Sequence, residues 1–304
     1  KGRMKRRRFV QLVGAASASH LLACSSKMDQ AVKGSQYMDN LGLQIWTVRN
    51  QIAEDPVATL KAISEHGYQQ IELMNLDQLE ILGPIAKDFG LDINCSHINW
   101  TVLTGRWDLK KMENPGITTD HLIEKAHKHG ISHMIYAYWF PDERSSLDDY
   151  KVIADKLNRF GEDCNKADVK LGYHNHSFEF KPMEDSTGWE VLMNRVEKDK
   201  MFYELDVFWA SIGNQDALGI MEDAKDKIGL LHLKDRKKES EIQYDESKVA
   251  KDAFKEVGQG MLDFKKIIVA AEAIGVEYCH VEQDESPDPL VSIGQSQTYL
   301  KTIS

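Results

Sequence analysis

The sequence predicts a single α/β domain, a (β/α)8 TIM barrel, on two observations. The first is a repeated unit of amphipathic helix, glycine and short apolar strand. Glu65-His66-Gly67 leads into 68–73, Asp88-Phe89-Gly90 into 91–97, Lys128-His129-Gly130 into 131–138, and Ala273-Ile274-Gly275 into 276–282. Glycine suits the left-handed position that closes a helix. The second is the count: with 41–48, 169–176, 201–206 and 228–234, eight strands occupy residues 40–304, the size of such a barrel. Strands alternating with helices pair in parallel. An open doubly wound sheet is the alternative, but Gly42-Leu43-Gln44, not a Gly-rich phosphate loop, stands at the first strand.

Taken in order, residues 1–24 read as an export signal. Lys5-Arg6-Arg7-Arg8 carries a twin arginine, a short apolar stretch follows, and Leu21-Leu22-Ala23-Cys24 forms a lipoprotein box, with Met4 the expected start. Gln11, Ser17, Ser19 and His20 make that stretch too polar for a membrane span. Residues 25–39 read as a flexible tether, which leaves 40–304 for the barrel. The expected location is therefore periplasmic or at the cell surface, with a lipid anchor as the only membrane attachment. Loss of residues 1–24 removes six basic residues and moves the formal charge from −10 to −16. Such a surface repels phosphodiester backbones and argues against nucleic acid. Three cysteines remain, Cys95, Cys164 and Cys279, which is no disulfide framework.

Asp55-Pro56 is an N-cap and first-turn pair ahead of a helix over 57–65. Helices over 118–129, 147–166, 188–198, 214–227, 264–273 and 289–302 follow. The charged runs 234–238 and 248–255 read as a solvated loop and a helix. His121, His127 and His129 fall on one helix, where 127 and 129 point apart and cannot share a ligand site.

The polar ends of the strands carry the chemistry. In Gly-Tyr-His-Asn-His (172–176), His174 and His176 are two apart and face the same way. Glu204 and Asp206, His232 and Lys234, and His280 and Glu282 repeat that spacing on the next three strands. Successive strands thus deliver His, Asp, His and Glu to their C-terminal ends, the ligand types of a divalent metal. Glu72 and His97 end earlier strands in the same way, as substrate contact and as acid or base, or as structural hydrogen-bonding groups. Trp46, Tyr138, Trp139 and Trp209 sit at or beyond strand ends, where aromatic faces suit a sugar ring or simply pack.

These strand ends resemble the xylose-isomerase-like barrels. The resemblance runs through Leu-Gly-Leu-Gln-Ile-Trp (41–46), Gly-Tyr-His-Asn-His (172–176), Leu-Asp-Val-Phe-Trp (205–209), Leu-His-Leu-Lys-Asp (231–235), Val-Gly-Gln-Gly-Met-Leu-Asp-Phe (257–264) and Val-Glu-Gln-Asp (281–284). That family contains sugar (phosphate) isomerases and epimerases, inosose dehydratases and abasic-site endonucleases. The resemblance implies a metal, commonly Mn2+ with Mg2+, Co2+ or Zn2+ as alternatives, on Asp206, His232 and Glu282. The family's strand 5 Glu has no match here. His-x-His stands in its place, with His176 taken as the fourth ligand, and looks more like the inosose dehydratase branch.

The expected protein is a metal-dependent carbohydrate isomerase or epimerase acting through an enediolate on an unphosphorylated small-molecule sugar. Glu282, His174, His176 and His97 are the expected acid–base groups, Lys234 the oxyanion partner, and Trp46, Glu72, Trp209 and Tyr138 the substrate contacts. A dehydratase, lyase or 3-keto-glycoside-cleaving enzyme on the same site is the first alternative. A non-catalytic carbohydrate-binding lipoprotein is the second.

Overall fold

The computed structural model describes residues 35–303. Eight parallel strands close into a barrel: β1 Gly42–Gln44, β2 Gln70–Leu73, β3 Asp92–His97, β4 His133–Tyr136, β5 Lys170–His174, β6 Met201–Asp206, β7 Ile228–Leu233 and β8 Tyr278–Val281, with β8 pairing back to β1. Each strand is paired on both edges, so no backbone edge is exposed. Among the described helices, eight surround it, α1 Pro56–His66, α2 Leu79–Asp88, α3 Thr119–Lys128, α4 Leu147–Asn165, α5 Gly188–Arg195, α6 Ala217–Asp223, α7 Phe264–Ile274 and α8 Pro289–Ile303, with short helices at Arg49–Glu54, Thr101–Thr104 and Val207–Ile212. None of the described helices is long and apolar enough to cross a membrane. Caps set the helix starts. Asp55 accepts from the Ala58 N–H at 2.9 Å, and Ser146 and Thr187 cap α4 and α5. Gly67 and Gly275 end α1 and α7 at φ 93° and 79°.

Cys95, Ile135, Ala137 and Leu230 form an apolar plug, with Phe202 and Tyr278 packed against it. A barrel interior of this size is a packed core rather than a pore. The larger core lies between strands and helices. Cys95, Cys164 and Cys279 are all buried free thiols.

Several boundaries differ from the sequence reading. The strand expected over 41–48 ends at Gln44, whose side chain accepts from the Trp46 N–H at 3.1 Å and turns the chain into a 3-10 turn over Ile45–Val48. The helix expected over 214–227 contracts to α6, because Asp206 starts another helix directly after β6, Val207–Ile212. Of the stretch read as a tether, residues 35–39 are described. Tyr37 there is buried and donates to the Val276 carbonyl at 2.7 Å. The signal and lipid box, residues 1–24, lie outside the described residues.

The charged run at 234–238 is solvated only at Lys237 and Lys238. Lys234, Asp235 and Arg236 are buried, and Asp235–Arg236 pairs antiparallel with Phe254–Lys255. Over 248–255 the helix is reduced to a 3-10 turn, Lys251–Ala253, because Phe254 is drawn inward to stack on Phe208 with ring centroids 4.3 Å apart. Asp235 accepts from the N–H groups of Gly258, Gly260 and Leu262 at 3.0, 2.8 and 3.1 Å. A side chain at Gly260 would collide with that carboxylate, and Gly258 adopts φ +88°. This explains the Gly-Gln-Gly spacing.

At the opposite end of the barrel, Glu277 accepts from Lys170 at 2.6 Å and lies 3.1 Å from His133 Nε2. The His133 hydrogen bond holds its carboxyl down at about 2. A depressed carboxyl stabilises the fold above its unfolded value and loses that contribution as pH falls toward the folded value. Glu277→Gln is therefore expected to lower stability by ~0.5–1 kcal/mol at pH 7, discounted for the half-exposed setting. The deficit should shrink between pH 5 and pH 3, as denaturant titrations of both proteins would read.

Candidate functional site

Alternation along each strand sends every second side chain into the barrel, so the polar strand ends converge. His174 from β5, Asp206 from β6, His232 from β7 and Glu282 just past β8 each place one donor atom within 4.8 Å of the others. His174 Nε2 lies 3.3 Å from Asp206 Oδ2, and His232 Nδ1 lies 3.0 Å from Glu282 Oε2 and 3.8 Å from Asp206 Oδ2. All four are buried. Asp206 is doubly held: Oδ1 accepts from the Trp209 N–H at 2.8 Å, leaving Oδ2 facing the cluster.

Lys234 enters the same cluster. Its Nζ is 3.2 Å from Asp206 Oδ2, 2.8 Å from Glu282 Oε2 and 2.9 Å from Asp284 Oδ1. Burial favours the neutral amine, but Asp206, Asp284 and Glu282 raise its pKa far above the ordinary lysine value. In return, Lys234 and His232 outweigh burial and hold Glu282 well below the usual carboxylate range. Asp284 goes the other way: burial and the neighbouring Glu282 push it to about 7.

His232 is the hinge of the site. Below it, Nε2 lies 2.6 Å from Glu72 Oε2 and 3.2 Å from Glu204 Oε2. Burial would lower its pKa, yet Glu204 and Glu72 raise it well above the ordinary imidazole value. A cation that takes Nδ1 must displace a proton, so its affinity falls as pH falls. His174 behaves oppositely, because burial keeps it below the ordinary value and therefore neutral, the form that ligates metals.

The donor set fits a divalent metal. Two imidazoles and two carboxylates from four strands are the ligand chemistry of such a site, and Glu72 against the far nitrogen of His232 supplies the orienting carboxylate common behind metal-bound histidines.

The remaining predicted residues take different places. His176 stands outside the four-atom cluster, its ring stacked on Phe178 at 5.3 Å and 5.1 Å from Trp209, with Nδ1 lacking any hydrogen bond. His174 occupies the strand 5 position instead, because β5 ends there and the chain turns away at Asn175, whose side chain accepts from the Asp206 N–H. His97 lies at the cluster's edge, 3.5 Å from Glu72 Oε1 and 3.6 Å from Glu204 Oε2. Tyr138 faces His176 edge-on and donates to Glu246 at 2.9 Å. Trp46 is 45% exposed, and the Arg49 guanidinium covers its ring at 4.4 Å. Trp139 is interior packing that donates to Tyr173.

Two groups escaped the candidate set although two-residue spacing marked them: Glu204, on the face of Asp206, and His280, on the face of Glu282. Gln44, Cys95 and Glu179 also lie outside the candidate set. Gln44 and Cys95 donate to Glu72 at 2.8 and 3.0 Å. Glu179 is buried behind His176, whose N–H it accepts at 2.9 Å, and burial raises its carboxyl to about 8.

Residues 60–303 match the family described as xylose isomerase-like TIM barrel. The chain belongs to that family. Within the xylose isomerase-like family, the chain is 26% identical over 164 residues to an inosose dehydratase of Clostridium perfringens, covering 51% of this chain and 54% of the relative. The chain thus spans about half the length of the curated relatives it matches. Among solved structures, a sugar phosphate isomerase/epimerase from Parabacteroides distasonis superposes with TM-score 0.68 at 25% identity, over 88% of this chain and 94% of that one. The IOLI protein, solved with a bound zinc atom, superposes with TM-score 0.61 at 14% identity, over 86% of this chain and 96% of that one. Named members of this xylose isomerase-like group are enzymes, isomerases, epimerases and dehydratases among them.

Proposed function

We propose that this protein is a divalent-metal-dependent sugar isomerase or epimerase that works through an enediolate on an unphosphorylated sugar or keto-sugar. The observation that carries the reading is the convergence of His174, Asp206, His232 and Glu282 within 4.8 Å at the C-terminal mouth, where catalysis in such barrels resides. When bound there, a divalent metal, Mn2+ by preference, supplies Lewis-acid polarisation of a carbonyl oxygen.

The chain's own residues supply the proton transfers. His176 is kept neutral by burial, by His174 and by Lys234, and its Nδ1 has no partner. It is suited to take the proton from the carbon beside the carbonyl. His97 leans the other way: burial lowers its pKa, but Glu72 and Glu204 bring it above the ordinary value. It is suited to return a proton, and return to the same carbon on its other face gives the epimer. Delivery to the neighbouring carbon, with the hydroxyl proton passing from one oxygen of the enediolate to the other, gives the isomer. Lys234 keeps Asp206 and Glu282 ionised and presents positive charge toward the forming oxyanion. Trp209 and Tyr138 wall the space beside His176.

A second reading, dehydratase or lyase, is supported by His174 at the strand 5 position and by the partial likeness to inosose dehydratases. In that case His97 protonates a departing hydroxyl and water leaves. Export as a lipid-anchored periplasmic or surface protein remains part of the proposal.

Substrate charge follows from the cations. Lys234 is shared among three carboxylates and so is not free for a phosphate, while Arg144 gives one Nη to Glu246 and lies over the Phe178 ring at 3.2 Å. With Mn2+ in D2O, NMR of free and phosphorylated sugars should show carbon-bound deuterium in a free sugar. Its kcat/KM should be at least tenfold above that of the phosphate ester, ~1.4 kcal/mol. No exchange in any free or oxidised sugar would overturn the enediolate reading; a tenfold preference for the ester would overturn the substrate class.

A further inference from the structure

Beneath the mouth cluster a second group of donors fills the barrel. Glu72 from β2, Glu204 from β6, His232 from β7 and His280 from β8 again place one atom each within 4.8 Å of the others. All four side chains are fully buried. Neither oxygen of Glu204 and neither ring nitrogen of His280 makes a hydrogen bond. Buried groups left so cost roughly 1–3 kcal/mol each.

Three of the four spacings are near those of ligands about an ion, and the fourth, His232 Nε2 to Glu72 Oε2, is a hydrogen bond that an entering ion would open. His232 Nε2 is 2.6 Å from Glu72 Oε2 and 3.2 Å from Glu204 Oε2, while His280 Nδ1 is 3.6 Å from Glu204 Oε1 and 3.8 Å from Glu72 Oε2. Four donors at ~2.0–2.2 Å from a tetrahedral centre stand roughly 3.3–3.6 Å apart. Charge points the same way. The ion pairs of Lys234 run to the mouth carboxylates, and among the described residues the ion-pair partners of Glu72 and Glu204 are His97, His232 and His280. The backbone makes room for the last of these, since a Cβ on Gly42 would lie 2.2 Å from His280 Cδ2.

We propose that Glu72, Glu204, His280 and Nε2 of His232 form a second divalent-cation site inside the barrel, bridged by His232 to the mouth site through Nδ1. It rests on the metal reading above only through that shared imidazole. Two imidazoles and two carboxylates select a transition metal such as Zn2+, Co2+ or Mn2+ over Ca2+. Filling both sites takes both ring protons of His232, which leave to solvent as the metals enter.

The test counts metals in the full chain, stripped by chelator and titrated with Co2+ by calorimetry, then measured by metal analysis after gel filtration. Wild type is expected to hold two per chain. Glu204→Gln and His280→Gln, tested separately so that a folding defect in one leaves the other informative, should hold one each. Asp206→Asn combined with Glu282→Gln should also hold one. With Cu2+, coupling across His232 should depress the wild-type electron paramagnetic resonance signal, whereas Glu204→Gln should give the full signal of one ion. A single wild-type metal lost only with the Asp206/Glu282 pair would overturn the interior site and leave the mouth site standing. A single metal lost only with Glu204 or His280 would overturn the mouth site instead. Two metals with an undiminished Cu2+ signal would overturn the bridge.

Discussion

Asp206→Asn is expected to cut kcat/KM by about 10^3-fold or more, ~4 kcal/mol of transition-state stabilisation, with little change in fold. The substitution is isosteric, and the retained amide oxygen can still accept from the Trp209 N–H that Oδ1 binds at 2.8 Å, so the helix after β6 keeps its cap. What is lost is the charge and lone pair of Oδ2, which faces His174 at 3.3 Å and Lys234 at 3.2 Å. An amide there presents N–H groups to a metal and to an ammonium. Metal affinity should fall with activity, and excess Mn2+ should restore only part of it. Titrating metal against kcat/KM for both proteins checks this. A variant within threefold of wild type at saturating metal would remove Asp206 from the ligand set.

The second large effect is on stability. Lys234→Met leaves the buried Asp206 and Glu282, and the partly buried Asp284, without the cation that touches all three. Removing one partner of a buried ion pair costs about 3–5 kcal/mol, so metal-stripped Lys234→Met should unfold at markedly lower denaturant. Added Mn2+ should recover part of the loss by binding the same carboxylates in the folded state. The pH window follows from the shifts. Lys234 is raised, so its contribution is complete below its unfolded value of ~10.4 and is lost only as pH climbs above that. Asp206, where burial is outweighed by Lys234 and His174, and Glu282 are both depressed. Their contribution is present above ~4 and is lost as pH falls through their folded values. The penalty of the variant should therefore be greatest between pH 5 and pH 9 and shrink in acid. Equal midpoints for wild type and variant at pH 7 without metal would refute this account of the cluster.

The barrel was legible in the sequence because its signals are local. Asp55 and Gly67 bracket α1, Gly275 ends α7, and each helix-to-strand junction lies within a few residues. Much of the site was legible for the same reason: two-residue spacing put Asp206, His232 and Glu282 on inward faces, and the parallel order brought their strands side by side. The expected bounds failed where a side chain far along the chain decided the matter. Asp235 gathers three backbone N–H groups more than twenty residues downstream, and Phe254 is held by Phe208, so Lys234, Asp235 and Arg236 of a run expected at the surface are buried.

By itself, then, the sequence determined the fold class, the strand order and which residue types reach the mouth, since these depend on periodicity and helix capping. Only the tertiary structure decided which strand 5 histidine joins the cluster. Both share a face by spacing, but β5 ends at His174, and the turn at Asn175 carries His176 toward Phe178 and Trp209. Only closure of the barrel could set Glu72 of the second strand against His232 of the seventh at 2.6 Å, because that distance depends on strands lying across the interior from each other and no sequence spacing encodes it.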